Sequence, residues 1–79
     1  MSEFFVYIAR CSDGSLYTGY TSDLEMREKQ HNEGKGARYT RGRGPVKIVY
    51  SERFQNKSNA MKREYQIKKM KREEKERLV

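Results

Sequence analysis

Phe4-Phe5-Val6-Tyr7-Ile8-Ala9-Arg10-Cys11, followed by Ser12-Asp13-Gly14-Ser15 and then Leu16-Tyr17-Thr18-Gly19-Tyr20-Thr21, decides the reading of this chain. The first eight residues are rich in aromatic and β-branched types, which fit a pleated surface and predict a strand. The next four supply turn chemistry, and Leu16 to Thr21 predicts a second strand, so the segment forms a β-hairpin. The loop length fixes what the hairpin presents. A two-residue turn at Asp13-Gly14 puts Tyr7 and Tyr17 on opposite faces. A three-residue loop, Asp13-Gly14-Ser15 with a glycine bulge, puts them on one face.

Beyond the hairpin, Ser22-Asp23-Leu24-Glu25 matches a capping box with Ser22 as N-cap, predicting a helix from about Asp23 to Asn32 that ends at Gly34. Lys35 to Gly44 holds three more glycines and four basic residues and predicts an irregular loop. Val46 to Glu52 is a third strand, with Pro45 suited to the position just ahead of it. A second helix starts with Ser58 or Asn56 as N-cap and runs toward the C-terminus, with a break near Arg72. The predicted class is α+β, a small three-stranded antiparallel sheet flanked by helices in the order β-β-α-β-α, with a short final helix possible, in a single domain over residues 1–79.

The chain carries 18 Lys plus Arg against 11 Asp plus Glu, a formal charge of +7. On so small a surface this favours a polyanionic partner, because neutralising phosphates releases condensed counterions. Cys11 is the single cysteine, which excludes an internal disulfide and a zinc site built of cysteines. The apolar run near the N-terminus is too short for a signal peptide or a membrane span. These features predict a cytoplasmic protein that does not enter membranes, a monomer or weak dimer.

Polar residues on both helices stand where a packing surface belongs, and a basic set gathers in the loop. Leu24, Arg27 and His31 share one face of the first helix by their spacing of three and seven residues. The competing account has Met26 or the stems of Arg27 and Lys29 pack while the charged tips reach water. On the second helix Ala60, Met61, Ile67 and Met70 define an apolar stripe with Glu64 near its middle. A carboxylate there needs a cation, whether a divalent metal, Arg27, or Lys68 four residues on. The loop adds Lys35, Arg38, Arg41 and Arg43 around Tyr39, a pattern suited to phosphates and to an unpaired base.

In this order and spacing the residues resemble the GIY-YIG nuclease domain over nearly the whole chain. Its first motif corresponds to Phe5-Val6-Tyr7 and its second to Tyr17-Thr18-Gly19, followed by Thr21. Its helical arginine corresponds to Arg27, the next helical position to His31, and its metal-binding glutamate to Glu64. Gln30-His31-Asn32, Lys35 to Arg41, Ala60 and Arg63-Glu64-Tyr65 resemble a bacterial subgroup of short, stand-alone, uncharacterised proteins. Two departures are visible: Phe5 and Val6 replace glycine and isoleucine of the first motif, and no asparagine follows Glu64.

The resemblance implies a metal-dependent endonuclease that hydrolyses phosphodiester bonds in DNA, or in RNA, by structure more than by sequence. It requires Tyr7 and Tyr17 on one face, hence the three-residue loop. Tyr7, Tyr17, Arg27, His31 and Glu64 would be catalytic, and Glu64 would hold one Mg²⁺ or Mn²⁺. Lys35, Arg38, Tyr39, Arg41 and Arg43 would contact nucleic acid. Two alternatives accompany this reading: a non-catalytic nucleic-acid adaptor of the same fold, or an interaction module whose C-terminal helix docks on a repair or ribosome-associated complex.

Overall fold

The computed structural model describes residues 3–79. Three strands, β1 (Phe4–Arg10), β2 (Leu16–Thr21) and β3 (Lys47–Phe54), form one sheet in the order β2-β1-β3. Three helices, α1 (Leu24–Asn32), α2 (Lys57–Lys68) and α3 (Arg72–Leu78), complete the order β-β-α-β-α-α. Both strand pairs are antiparallel. The expected class therefore holds, with the final short helix present.

β1 is the central strand, which explains why its sequence does not alternate: both of its faces are covered. Val6 and Ile8 point to one side and form a cluster with Ala60 and Ile67 of α2. Tyr7 and Ala9 point to the other and cluster with Cys11, Val46 and, from α1, Leu24. All four of these β1 side chains are fully buried. Burying each large apolar side chain of the first cluster is worth about 1.5–3 kcal/mol.

The hairpin keeps the expected face but shifts its loop by one residue. Cys11 N–H bonds Ser15 O at 2.9 Å and Gly14 N–H bonds Cys11 O at 2.9 Å, so the three loop residues are Ser12-Asp13-Gly14. Gly14 takes φ +84°, the left-handed position of a glycine bulge. Asp13 accepts from Ser15 N and Ser15 Oγ, which stabilises the turn one residue earlier than the composition suggests. Tyr7 then faces Gly19 and Ala9 faces Tyr17, so the two tyrosines lie diagonally on one face.

Several local boundaries are corrected. The N-cap of α1 is Asp23, not Ser22: its carboxylate accepts from Met26 N at 3.0 Å, while Thr21 Oγ1 takes the Asp23 amide. Gly34 does end α1, at φ +75°, with Gly34 N–H on His31 O and Lys35 N–H on Gln30 O. Asn56, the second of the two candidate caps, starts α2 by accepting from Asn59 N at 2.8 Å. β3 runs two residues past Glu52, because pairing with β1 continues to Phe4↔Phe54. Met61 leaves the apolar stripe and is 45% exposed, so Glu64 lies instead between Ala60 and Ile67. The loop 35–44 contains a 3₁₀ turn at Arg38–Thr40 and buries Thr40.

Polar bonds do much of the docking. Asn32 pairs with the Val46 backbone through both ends of its amide, donating at 2.8 Å and accepting at 2.6 Å, and Glu28 Oε2 accepts from Ile48 N at 2.7 Å. These two side chains fasten α1 to the start of β3, where Leu24 is its one apolar anchor. On the other side of the sheet Arg63 of α2 forks onto Glu52 at 3.0–3.1 Å, and Arg10 holds Glu76 of α3 through both carboxylate oxygens at 2.7 and 3.1 Å.

Candidate active site

The sheet face covered by α1 gathers the polar residues of the sequence. Tyr7 lies across Gly19 on the neighbouring strand. A Cβ at Gly19 would stand 2.7 Å from Tyr7 Oη and 2.9 Å from its Cζ, so the absent side chain makes room for the phenol. Val6 points to the opposite face, so one of the two replaced residues of the first motif lies away from this site.

α1 delivers two side chains to the same phenolic oxygen. Arg27 Nε donates to Tyr7 Oη at 3.3 Å, and His31 Nε2 lies 2.7 Å from it. The spacing of four residues places both on one helix face. Met26 is 52% exposed and Lys29 is exposed, so neither of them does the packing, whereas Arg27 is half-buried. Arg27 also donates to Gln30 Oε1 at 3.2 Å. An open cleft of about 480 Å³ between the end of β2 and α1 has Tyr20, Arg27 and Gln30 in its walls.

The loop after α1 closes over His31. Its backbone passes so near the ring that a Cβ at Gly36 would lie 2.3 Å from His31 Nδ1. Thr40 Oγ1 sits 2.8 Å from the same nitrogen and donates to Ala37 O at 2.8 Å. His31 and Thr40 are 2% and 1% exposed. Gly36 and Thr40 belong to a run that the sequence marks only by resemblance; their roles depend on where the loop folds.

Tyr17 stands edge-on to His31 with ring centroids 5.5 Å apart and stacks on Tyr39 at 5.9 Å. Lys35, Arg38 and Arg41 are exposed along the loop. Arg43 is engaged elsewhere: it bonds Asp13 Oδ2 at 2.6 Å and Tyr39 O at 2.7 Å, and its guanidinium lies 4.5 Å from the Tyr39 ring centroid. It ties the loop to the hairpin turn.

Glu64 faces in from α2 with its side chain 17% exposed, and Lys68 Nζ approaches Oε2 at 3.5 Å. The ion pair within the helix thus exists, but as a single long contact. The Glu64 charge is near enough to Tyr7 to oppose ionisation of the phenol. Among the described residues no three His, Cys, Asp or Glu side chains gather as a metal cage.

Burial pushes the Tyr7 pKa up to about 12, although the bond and charge of Arg27 pull it down. Burial, and then the Arg27 charge, push His31 below the usual imidazole range. Both groups therefore rest neutral at pH 7. Three carboxylates are depressed by their partners. Asp13 falls to about 2 through its Ser15 bonds and then Arg43, and Glu76 is lowered chiefly by Arg10. For Glu52 burial works upward, but Arg63 and Tyr50 outweigh it and the net shift is down.

The folded-state values of His31, Asp13, Glu52 and Glu76 lie below the unfolded ones, so their stabilisation is complete above the unfolded pKa and is lost as pH falls through the folded value. Thermal melts should be flat between the imidazole reference of 6.5 and the phenol reference of 10, fall above that because the unfolded phenol ionises before the buried Tyr7, and decline below 6.5 as the imidazole takes up a proton. The decline should steepen below the carboxylate references of 4.5 and 3.8 and continue toward pH 2. Glu52→Gln should flatten part of this acid limb; a melting temperature unchanged between pH 7 and 3 would contradict the paired carboxylates.

The model of the GIY-YIG catalytic domain matches residues 3–77. The chain belongs to the GIY-YIG family. Within it, a UPF0213 protein of Clostridium perfringens is 60% identical over 95% of this chain and 81% of its own length. A UPF0213 protein of Staphylococcus aureus is 54% identical over the whole chain and 96% of its own length. The fold is also similar to two solution NMR structures, each covering 98% of this chain and 82% of the other. One is a UPF0213 protein from Bacillus halodurans (52% identity, TM-score 0.62), the other a protein from E. faecalis (40%, TM-score 0.65). The GIY-YIG family is of nuclease type, which fits the formal charge of +7. Among the described residues no helix is long and apolar enough to cross a membrane.

Proposed function

We propose that this GIY-YIG domain is a divalent-metal-dependent endonuclease that hydrolyses phosphodiester bonds in nucleic acid, DNA foremost. The convergence of Arg27 and His31 on the Tyr7 hydroxyl, within the field of Glu64, carries the proposal. Phosphodiester hydrolysis needs a proton acceptor for water, a cation against the phosphate, and stabilisation of the departing oxygen.

Arg27 serves as the cation, since its planar fork keeps free donors beyond those spent on Tyr7 and Gln30. Tyr7 is the group positioned to receive the proton of the attacking water. Tyr17 borders the same pocket and orients it. Glu64 offers one hard carboxylate whose charge reaches Tyr7, which fits an ion that keeps most of its waters and binds through few carboxylates. Glu64 would hold one Mg²⁺ or Mn²⁺, which when bound supplies charge stabilisation at the phosphate and the departing 3′ oxygen.

Lys35, Arg38 and Arg41 supply the approach surface for the phosphate backbone, and Tyr39 borders it. A second cavity of about 200 Å³, between Ser15, Tyr39 and the α3 residues Arg72 and Lys75, extends that basic surface. Arg43 acts here by holding Tyr39 and the loop in place.

Labelled single-stranded, duplex and branched DNA, and RNA, incubated with pure protein in Mg²⁺, Mn²⁺ or EDTA test the proposal. Cleavage of at least one substrate that EDTA abolishes is the expected result. Salt-sensitive binding with every substrate intact would replace the nuclease by a nucleic-acid adaptor.

A further inference from the structure

We propose that Thr40 is a positioning residue that fixes His31 in its Nδ1–H tautomer, so that Tyr7 donates its phenolic proton to His31 Nε2 and can pass it there as it takes a proton from water. The tautomer half stands on hydrogen-bond geometry alone. The transfer half rests on the nuclease reading above.

The direction of each bond follows from what its partner can do. Ala37 O is a carbonyl and only accepts, so the Thr40 hydroxyl 2.8 Å away spends its single proton there. Thr40 Oγ1 then has only lone pairs for His31 Nδ1 at 2.8 Å, and that nitrogen must carry the proton. A neutral imidazole has one N–H, which leaves Nε2 as an acceptor, so Tyr7 Oη at 2.7 Å is the donor. Arg27 Nε can only donate, and does so into a lone pair of Tyr7 Oη at 3.3 Å. Reversing the Thr40 proton would leave two oxygen lone pairs facing each other at 2.8 Å in a buried site. Tyr7, His31 and Thr40 are all at most 2% exposed, so bulk water does not compete for these bonds, and the attacking water has to arrive with the substrate from the cleft that Arg27 lines.

The chain of donors gives the phenol an outlet. A buried tyrosine held near pKa 12 is a poor base by itself. When water gives a proton to Tyr7 Oη and its oxygen forms the new bond to phosphorus, the original phenolic proton moves to His31 Nε2. Tyr7 stays neutral throughout, and His31 becomes an imidazolium whose Nδ1–H remains on Thr40. The P–O3′ bond breaks and its electron pair leaves with the 3′ oxygen. The groups facing the imidazole are Tyr7, Tyr17 and Arg27; the Arg27 charge opposes the imidazolium, so the proton is held only while the phosphate's negative charge is present. In the other tautomer Nε2 would bear a proton and the outlet would be closed.

His31 is the single histidine, so its two ring nitrogens give unambiguous signals in long-range ¹H–¹⁵N spectra of the full-length protein. At a pH where the ring is neutral, the wild type should show the Nδ1–H pattern. Thr40→Val should shift it toward Nε2–H or a mixture, and Thr40→Ser should restore it. Tyr7→Phe, which removes the phenol but leaves Thr40, should keep Nδ1–H; this variant decides the matter if Thr40→Val fails to fold. A wild type in the Nε2–H form, or Nδ1–H undiminished in folded Thr40→Val, overturns the proposal. So does loss of Nδ1–H in Tyr7→Phe. Where cleavage is observed, Thr40→Val should lower it about 10–100-fold with substrate binding unchanged and Thr40→Ser should recover it, the range typical of groups that orient a reacting residue. The spectra report on Thr40 even for a protein that cleaves nothing, so failure of the nuclease reading and failure of the tautomer assignment are separately visible.

Discussion

Glu64→Ala is expected to lower divalent-dependent cleavage by on the order of 10²–10³-fold while leaving the fold and the salt-dependent affinity for nucleic acid near wild type. The fold should survive because, among the described residues, the one partner of this carboxylate is Lys68 at 3.5 Å, within the same helix. Such i,i+4 pairs are worth only about 0.3–0.5 kcal/mol. Arg27→Ala should show a loss of similar order for a different reason. It removes the cation beside Tyr7 and also the charge that helps hold His31 below the usual imidazole range, so the residual activity should need higher pH to keep that acceptor neutral. Arg27→Lys should recover little, because an ammonium has no planar fork to serve Tyr7 and a phosphate together. Single-turnover cleavage in Mg²⁺ against pH, together with thermal melts, separates these effects. Undiminished cleavage by folded Glu64→Ala and Arg27→Ala proteins would end the assignment of both residues.

Gly19→Ala should be the most damaging single methyl addition near the site. The new carbon would meet Tyr7 Oη at 2.7 Å, Tyr7 Cζ at 2.9 Å and a Tyr17 ring carbon at 3.1 Å. Tyr7 cannot yield freely, since its hydroxyl is bonded to both His31 and Arg27 and its ring is fully buried. Overpacking of this kind costs about 1–3 kcal/mol. For a domain of this size that corresponds to a fall in melting temperature of roughly 5–20 °C. The tyrosine–histidine bond should break with it, so the His31 signals should change along with stability. Gly34→Ala is the contrast: its Cβ would meet nothing within 4 Å, and its cost comes from the backbone at φ +75° alone. It should destabilise by about 1 kcal/mol and leave the His31 signals in place. A Gly19→Ala protein as stable as wild type, with His31 unchanged, would mean that Tyr7 does not lie across this glycine.

Local physics made much of this molecule legible in its sequence. The apolar run of β1, the Asp13-Gly14 turn, the Gly34 stop and the Asn56 cap each act within a few residues, so the elements follow from composition and spacing. Arg27 and His31 on one face of α1 follow equally from helical geometry, and the order of the family's motifs supplied their partners. Tertiary structure decided the rest. The His31–Tyr7 bond joins residues 24 apart, and the Arg43–Asp13 pair joins residues 30 apart. No local pattern distinguishes Arg43, spent on the hairpin turn, from Arg38 and Arg41, which stay exposed. The sequence likewise marks Asn32 and Glu28 as ordinary polar helix residues, whereas they replace an apolar seam by bonding the backbone at Val46, just ahead of β3, and at Ile48 within it. Met61 looked like core by its spacing and is exposed, because how α2 is rotated on the sheet is set by which side chains the sheet can receive. Composition and periodicity determine which elements form; the packing of distant segments determines which polar groups lose water together, and hence which proton each of them holds.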